Sequence, residues 1–202
     1  MVEDLRSRPE PDSRFESLVT DRLTIRRFQV TDVLAFAAYR SVPEIARYQS
    51  WDTPFSEERA RRFVAAQAAS HPDTPDEWFQ FAVTETATGR LVGDVAAAPE
   101  SDHRTARIGF TLAPEAQGHG FATEAVTGLL GYLFDTRGKH RVVADGDPRN
   151  VASVALLKRV GMRREAHHLQ SVWWNGEWTD EFVYAVLADE WPSIQPRSSA
   201  GR

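Results

Sequence analysis

Residues 114–124 read Pro114-Glu115-Ala116-Gln117-Gly118-His119-Gly120-Phe121-Ala122-Thr123-Glu124. Upstream, Ile108, Phe110 and Leu112 alternate with other residues, the period of a half-buried strand. Downstream, Phe121, Ala125, Val126, Leu129, Leu130 and Leu133 recur at three- and four-residue steps, one apolar stripe along a helix. Gly118 and Gly120 therefore fall where a strand becomes a helix. The first helical amides there have no partner inside the helix, and the macrodipole makes them partly positive. Small residues let an anion approach that backbone, so the bend reads as a cradle for phosphate or diphosphate. A tight turn with no ligand would also use two glycines.

Spacing argues against two common anion loops. The P-loop needs Gly-x-x-x-x-Gly-Lys-Ser/Thr, and those residues are absent at the required offsets. The dinucleotide fingerprint needs a third glycine where Thr123 stands. A nucleotide-dependent oxidoreductase, with Asp145 as ribose ligand, is disfavoured by Thr123 and by the antiparallel strands ahead of the bend. What remains is Q-x-x-G-x-A, spelled by Gln117, Gly120 and Ala122.

That pattern resembles the acyl-CoA signature of the GNAT superfamily of N-acyltransferases. Asp147-Pro148-Arg149-Asn150-Val151-Ala152-Ser153, continuing to Leu157-Lys158-Arg159-Val160-Gly161-Met162, is similar to the N-x-x-S…L-x-K-x-G-F segment of the RimJ/RimL-type branch, which contains ribosomal-protein N-terminal acetyltransferases. Thr20-Asp21-Arg22-Leu23-Thr24-Ile25-Arg26-Arg27-Phe28 resembles the opening T-x-R-L-x-L-R strand of that branch. The resemblance spans about residues 18–188.

The resemblance implies an acyl-CoA-dependent N-acyltransferase, acetyl-CoA being the co-substrate. Gln117, Gly118, His119, Gly120, Phe121, Ala122 and Thr123 would hold the diphosphate, mostly through main-chain N–H, with the His119 side chain in solvent. A main-chain amide near Leu112 would stabilise the oxyanion and pair with the pantetheine like an added strand. Asn150 would bond the pantetheine, Ser153 the departing sulfur, and Lys158 completes the cofactor set. Capping alone also accounts for Asn150, and Ser153 is ordinary in a first helical turn. Tyr48, Trp51 and Gln80 are the implied acceptor contacts, although Trp51 serves equally as a staple between its loop and the core.

Two departures bear on catalysis. The Tyr that many members use to protonate the thiolate is replaced by Leu157, leaving Ser153 for that role. Two positions where relatives carry Glu hold Arg107 and Val172. The general base then lies open among Asp94, Glu165, His167, His168, Asp180, an ordered water, or no base at all. His167 and His168 are adjacent in an extended segment and face opposite ways. The absence of cysteine excludes a cysteinyl acyl-enzyme, so direct transfer in a ternary complex is expected. These departures keep a second reading in view, an acyl-CoA-binding module without turnover.

A chain of 202 residues suits one domain. No disulfide or thiolate metal site is possible without cysteine, and no metal is expected. A net charge of −5 argues against a nucleic-acid partner and suits an amine acceptor, whether a small molecule or a protein N-terminus. No apolar run matches a membrane span and the N-terminus lacks a signal-peptide core, so a cytoplasmic protein is expected. Residues 1–16 are expected to be a flexible arm, 17–190 a single domain, and 191–202 a flexible tail. Trp173, Trp174 and Trp178 crowd a terminal hairpin that packs on the core or lines a homodimer. The order is a strand, two or three helices, antiparallel strands, then strand–helix–strand–helix–hairpin. That is an α+β (mixed α/β) pattern, not a doubly wound one. It fits the GNAT fold: a mostly antiparallel twisted sheet with a V-shaped splay and helices on both faces.

Overall fold

Alternation along β2 (Leu23–Arg27) buries Leu23 and Ile25 and leaves Thr24, Arg26 and Arg27 half-buried. In this computed structural model, which describes residues 15–194, that strand is paired on both sides. The eight strands form one sheet in the order β1-β2-β3-β4-β5-β6-β8-β7. The remaining strands are β1 (Ser17–Val19), β3 (Phe79–Glu85), β4 (Leu91–Pro99), β5 (Thr105–Leu112), β6 (Arg141–Gly146), β7 (Arg163–Trp174) and β8 (Glu177–Leu187). Every neighbouring pair is antiparallel except β5 and β6.

The parallel pair is short. Thr105, Ala106 and Arg107 face Arg141, Val142 and Val143, and there the pairing stops. Beyond it β6 stays paired to β8 as far as Gly146, while β5 stays paired to β4 as far as Leu112. The sheet therefore opens into the expected V between 108–112 and 144–146.

Helices cover both faces. Directly opposed residues share a face, so the register puts Gln80, Ala96 and Gly109 on one face together with Asp94 and Thr111. That face meets α1 (Val33–Arg40), whose Tyr39 and Arg40 reach Asp94. Next to α1 lie α2 (Pro43–Ala46) and α3 (Glu57–Ala69), the latter capped by the Ser56 side chain. The other face carries Ile25 and Phe81 against α4 (Phe121–Gly131) and the π-helical turn that extends it through Thr136. Between β6 and β7 runs α5 (Val151–Arg159), capped by Asn150, and the left-handed Gly161 follows its end.

Three boundaries differ from expectation. Phe15, inside the stretch read as an arm, is buried with its ring 4.7 Å from Phe81 and 5.3 Å from Tyr132. The rest of that arm, through residue 14, lies outside the described residues, as does the tail from residue 195. Trp191, read as the start of the tail, is buried in α6 (Trp191–Ile194) and donates to Asp135 Oδ2 at 3.2 Å. One aromatic ring anchors each end, against the polar composition around it. The sequence predicts a terminal hairpin whose first strand begins at Leu169, whereas β7 starts earlier, at Arg163. Thr31-Asp32 reads as a helix N-cap, but the Asp32 side chain does not cap α1; its carboxylate instead accepts from Arg26 and from the Gln29 N–H.

Candidate acetyl-transfer site

After Leu112 the chain makes a 3₁₀ turn over Pro114–Ala116 and reaches the glycine bend. Gly118 and Gly120 have φ of +79° and +80°, the left-handed region, and Gly120 is the N-cap of α4. No side chain caps that helix, so its first amides are left for a ligand or water. Gln117 Nε2 donates to the Leu112 carbonyl at 3.3 Å and fixes the bend to the strand end. His119 is exposed.

Arg22 braces the bend from outside, a role its place in the first strand motif does not reveal. Its Nη1 donates to the His119 carbonyl at 3.0 Å, and its guanidinium lies 4.8 Å from the centre of the Phe121 ring. Glu124, in the first turn of α4, accepts from Arg22 Nε, the Arg22 N–H and the Thr20 hydroxyl. Burial works against the Glu124 charge, but the bonds from Thr20 and Arg22 outweigh it and hold the carboxyl below its ordinary pKa.

The bend opens into a cavity of about 570 Å³ that runs between α4 and α5 to the splay. Leu112, Gln117, Gly118, Gly120, Phe121, Ala122, Thr123, Asn150 and Ser153 all line it. His119 and Lys158 do not. Arg159, one residue after Lys158, lines it instead and donates to Thr123 Oγ1 at 3.4 Å. Asn150 Oδ1 accepts the Ser153 N–H at 3.2 Å, so its carbonyl oxygen is used in capping.

The open edge of β5 supplies the next donors. The Ala113 N–H binds the Val92 carbonyl, and the Glu100 N–H binds the Thr105 carbonyl. An antiparallel ladder alternates, so the odd positions of β5 bond to β4. The N–H and C=O groups of Ile108, Phe110 and Leu112 consequently face the splay, where β6 has diverged. An extended amide chain entering there finds the bonding edge of a missing strand.

A second cavity, about 600 Å³, lies on the α1/α3 face. Tyr48, Trp51 and Gln80 line it. Tyr48, Gln49, Phe110 and Thr111 belong to both cavities and mark where they meet. Trp51 is not exposed: it is 9% accessible, and its Nε1 donates to the Arg40 carbonyl at 3.0 Å. It staples the loop and walls the cavity at once.

Arg40 forms the floor. Its guanidinium stacks 3.9 Å from the Trp51 ring centre, and Nη2 reaches Gln80 Oε1 at 3.0 Å and Asp94 Oδ2 at 3.4 Å. The Tyr39 hydroxyl donates to the other Asp94 oxygen. Burial pushes the Asp94 carboxyl up, opposed by Arg40, and also pushes the Tyr39 phenol well up.

Of the other base candidates, Glu165 bonds Arg141 and Arg163, and neither it nor His167 nor His168 lines the second cavity. Asp180 lines it but binds His167 Nε2 at 2.7 Å and the Gln170 N–H at 2.9 Å. Leu157, the position where the resemblance implied a Tyr, is buried in the core. Asp145, the ribose ligand of the oxidoreductase reading, lines the second cavity and bonds Arg107 at 3.0 Å. Among the described residues no group of three or more His, Asp or Glu is placed to hold a metal ion, and no helix is long and apolar enough to cross a membrane.

A sheet parted beside a glycine-lined anion bend, with a second cavity meeting the first at the gap, defines an enzyme that moves an acyl group from an extended thioester to a nucleophile. The chain belongs to the GNAT family: residues 22–163 match the acetyltransferase (GNAT) domain model. It is 31% identical to the uncharacterized N-acetyltransferase YnaD of Bacillus subtilis, over 86% of this chain and 98% of that one. It is 30% identical over 84 residues to the [ribosomal protein uS5]-alanine N-acetyltransferase of Escherichia coli, 42% of this chain and 43% of that one. The crystal structure of a GNAT-family acetyltransferase from Bacillus anthracis superposes with a TM-score of 0.79 at 29% identity, covering 86% of this chain and 99% of that one. The protein is thus an acyl-CoA-dependent N-acetyltransferase. Neither the oxidoreductase nor the module without turnover finds support in the fold or the relatives.

Proposed function

We propose that the enzyme transfers an acetyl group from acetyl-CoA directly to a primary amine within a ternary complex. The single observation that carries this is the meeting of the two cavities at Tyr48, Gln49, Phe110 and Thr111, beside the free edge of β5. When bound, the cofactor supplies an acetyl thioester whose sulfur is a good leaving group. The amides of residues 117–123 hold its diphosphate, with Arg159 on the inner wall and Lys158 adding charge at the exposed end of α5. The edge amides of β5, Leu112 among them, align the pantetheine and receive the charge that develops on the carbonyl oxygen. Asn150 turns its amide nitrogen to the pantetheine, and Ser153 donates to the departing thiolate.

Acceptors enter over Tyr48, Trp51 and Gln80. A peptide N-terminus is the first acceptor to try, because the relative that acts on a ribosomal-protein alanine shares the matched segment. We place the enzyme in the cytoplasm. A homodimer through the hairpin with the exposed Trp173 and Trp178 belongs to the same proposal, and light scattering in solution checks it.

Thiol release from acetyl-CoA, measured with peptides beginning in Ala or Ser and with spermidine, tests the reading. Release with at least one amine is expected. Tight CoA binding with no release on any of them would overturn it. Ser153→Ala should lower kcat about tenfold or more while CoA affinity stays within a few-fold.

A further inference from the structure

Five acidic residues line the acceptor cavity, and all but one are committed. Asp94 holds Tyr39 and Arg40, Asp145 holds Arg107, Asp147 holds Arg149, and Asp180 holds His167. Glu181 lines the same cavity, is only half-buried, and has no hydrogen-bond or ion-pair partner among the described residues.

The register places it at the gap. On β8, Val183 stands opposite Asp145 and Phe182 opposite Gly146, the last residue of β6. Glu181 therefore projects from just past the end of β6, on the same face as Asp145. Asp145 bonds Arg107, and Arg107 shares its face of β5 with Thr111, one of the residues common to both cavities. Glu181 thus stands where β6 ends, in the cavity that meets the bend cavity at Phe110 and Thr111.

We propose that Glu181 is the catalytic base of this enzyme, a role that rests on the acetyl-transfer reading above. The amine nitrogen forms the C–N bond to the acetyl carbon, and its proton passes to the Glu181 carboxylate. The C–S bond breaks with its electron pair on sulfur. The thiolate takes up one proton from water by way of the Ser153 hydroxyl, and Glu181 returns its own to water, so no net proton is gained or lost. Asp94, Asp147 and Asp180 have both carboxylate oxygens engaged, and Asp145 has one held by Arg107.

The surroundings suit the task. Burial and then the Asp145 charge push the Glu181 carboxyl up, while His168 on β7 and Arg107 on β5 pull it down less strongly. A carboxylate raised in this way is a stronger proton acceptor than an unperturbed one. A cationic acceptor also relieves the repulsion between Glu181 and Asp145.

Glu181→Gln and Glu181→Asp test the assignment, with an Ala-initiated peptide and spermidine as acceptor probes. In Glu181→Gln, kcat/KM for the acceptor should fall about a hundredfold and the acidic limb of its pH profile should disappear. CoA affinity by calorimetry should stay unchanged, and the melting temperature should hold or rise because a repulsion is removed. Glu181→Asp should recover part of the rate. Activity within threefold of wild type with the acidic limb intact overturns the proposal. So does a fall in rate that tracks lost CoA affinity or a lower melting temperature. Absence of thiol release from the wild type is a separate failure, of the transfer reading, and needs no variant to detect.

Discussion

Arg22 Nε lies 2.7 Å from Glu124 Oε2, joining the turn between β1 and β2 to the first turn of α4. The carboxylate also receives the Thr20 hydroxyl at 2.6 Å and the Arg22 N–H at 2.7 Å, so one side chain ties the sheet edge to the anion bend. Its position near a helix N-terminus adds to the stabilisation of its charge.

The sign of the resulting pH dependence is fixed. The folded pKa of Glu124 is depressed, so its contribution is present above the unfolded pKa and is lost as pH falls through the folded value. Glu124→Gln should cost about 1–2 kcal/mol at pH 7. Urea unfolding repeated at stepwise lower pH should bring mutant and wild type together. A gap that persists at pH 2 would contradict this account.

Arg22→Ala removes the brace under His119 and Phe121. CoA affinity should weaken roughly three- to tenfold, with a smaller effect on stability because the Arg22 side chain is half exposed. Titration calorimetry reads the first effect and thermal melting the second. Unchanged affinity would mean that the bend holds its shape without the guanidinium.

The two glycines should respond differently to alanine. Both have left-handed φ, and alanine there costs about 1–2 kcal/mol. A Cβ at Gly118 meets nothing within 4 Å, whereas one at Gly120 comes to 3.4 Å from Arg22 Nη2. Gly120→Ala should therefore weaken CoA binding more than Gly118→Ala. Equal losses in calorimetry would show that backbone strain alone decides.

Capping and cofactor contact can be separated at Asn150. Asn150→Ala should lose about 1 kcal/mol of stability with the cap. Asn150→Ser keeps a capping oxygen but has no amide to offer the pantetheine. It should melt near the wild-type temperature and bind CoA less tightly. Wild-type affinity in Asn150→Ser would reduce Asn150 to a cap.

Tyr39→Phe leaves one oxygen of the buried Asp94 without its donor. A loss of about 1–3 kcal/mol is expected. Asp94→Ala should cost more, about 3–5 kcal/mol, because it strands the Arg40 charge under Trp51. Denaturant midpoints would reveal the order, and the reverse order would show that Arg40 is satisfied by its aromatic neighbours and Gln80.

Local pattern was enough to read the elements around the site. Alternation marked β5, three-and-four spacing marked α4, and Asn150 marked a helix start through its own capping chemistry. Pattern failed where a single ring opposed its surroundings. Phe15 and Trp191 sit in polar stretches, and only their contacts with Tyr132 and Phe134 show that they are anchored. Trp51 read equally as an acceptor contact or as a staple, and its indole N–H is spent on the Arg40 carbonyl.

Residues close together along the chain were enough to read the anion bend and the strand–turn–helix around it, and the acyl-CoA chemistry followed from their resemblance to the GNAT signature. Only the tertiary structure decided which charged groups do the work. Arg22 meets Glu124 from 102 residues away, and Arg40 meets Asp94 from 54. Whether a carboxylate is free or paired depends on which strands lie beside it, and neither spacing nor composition records that.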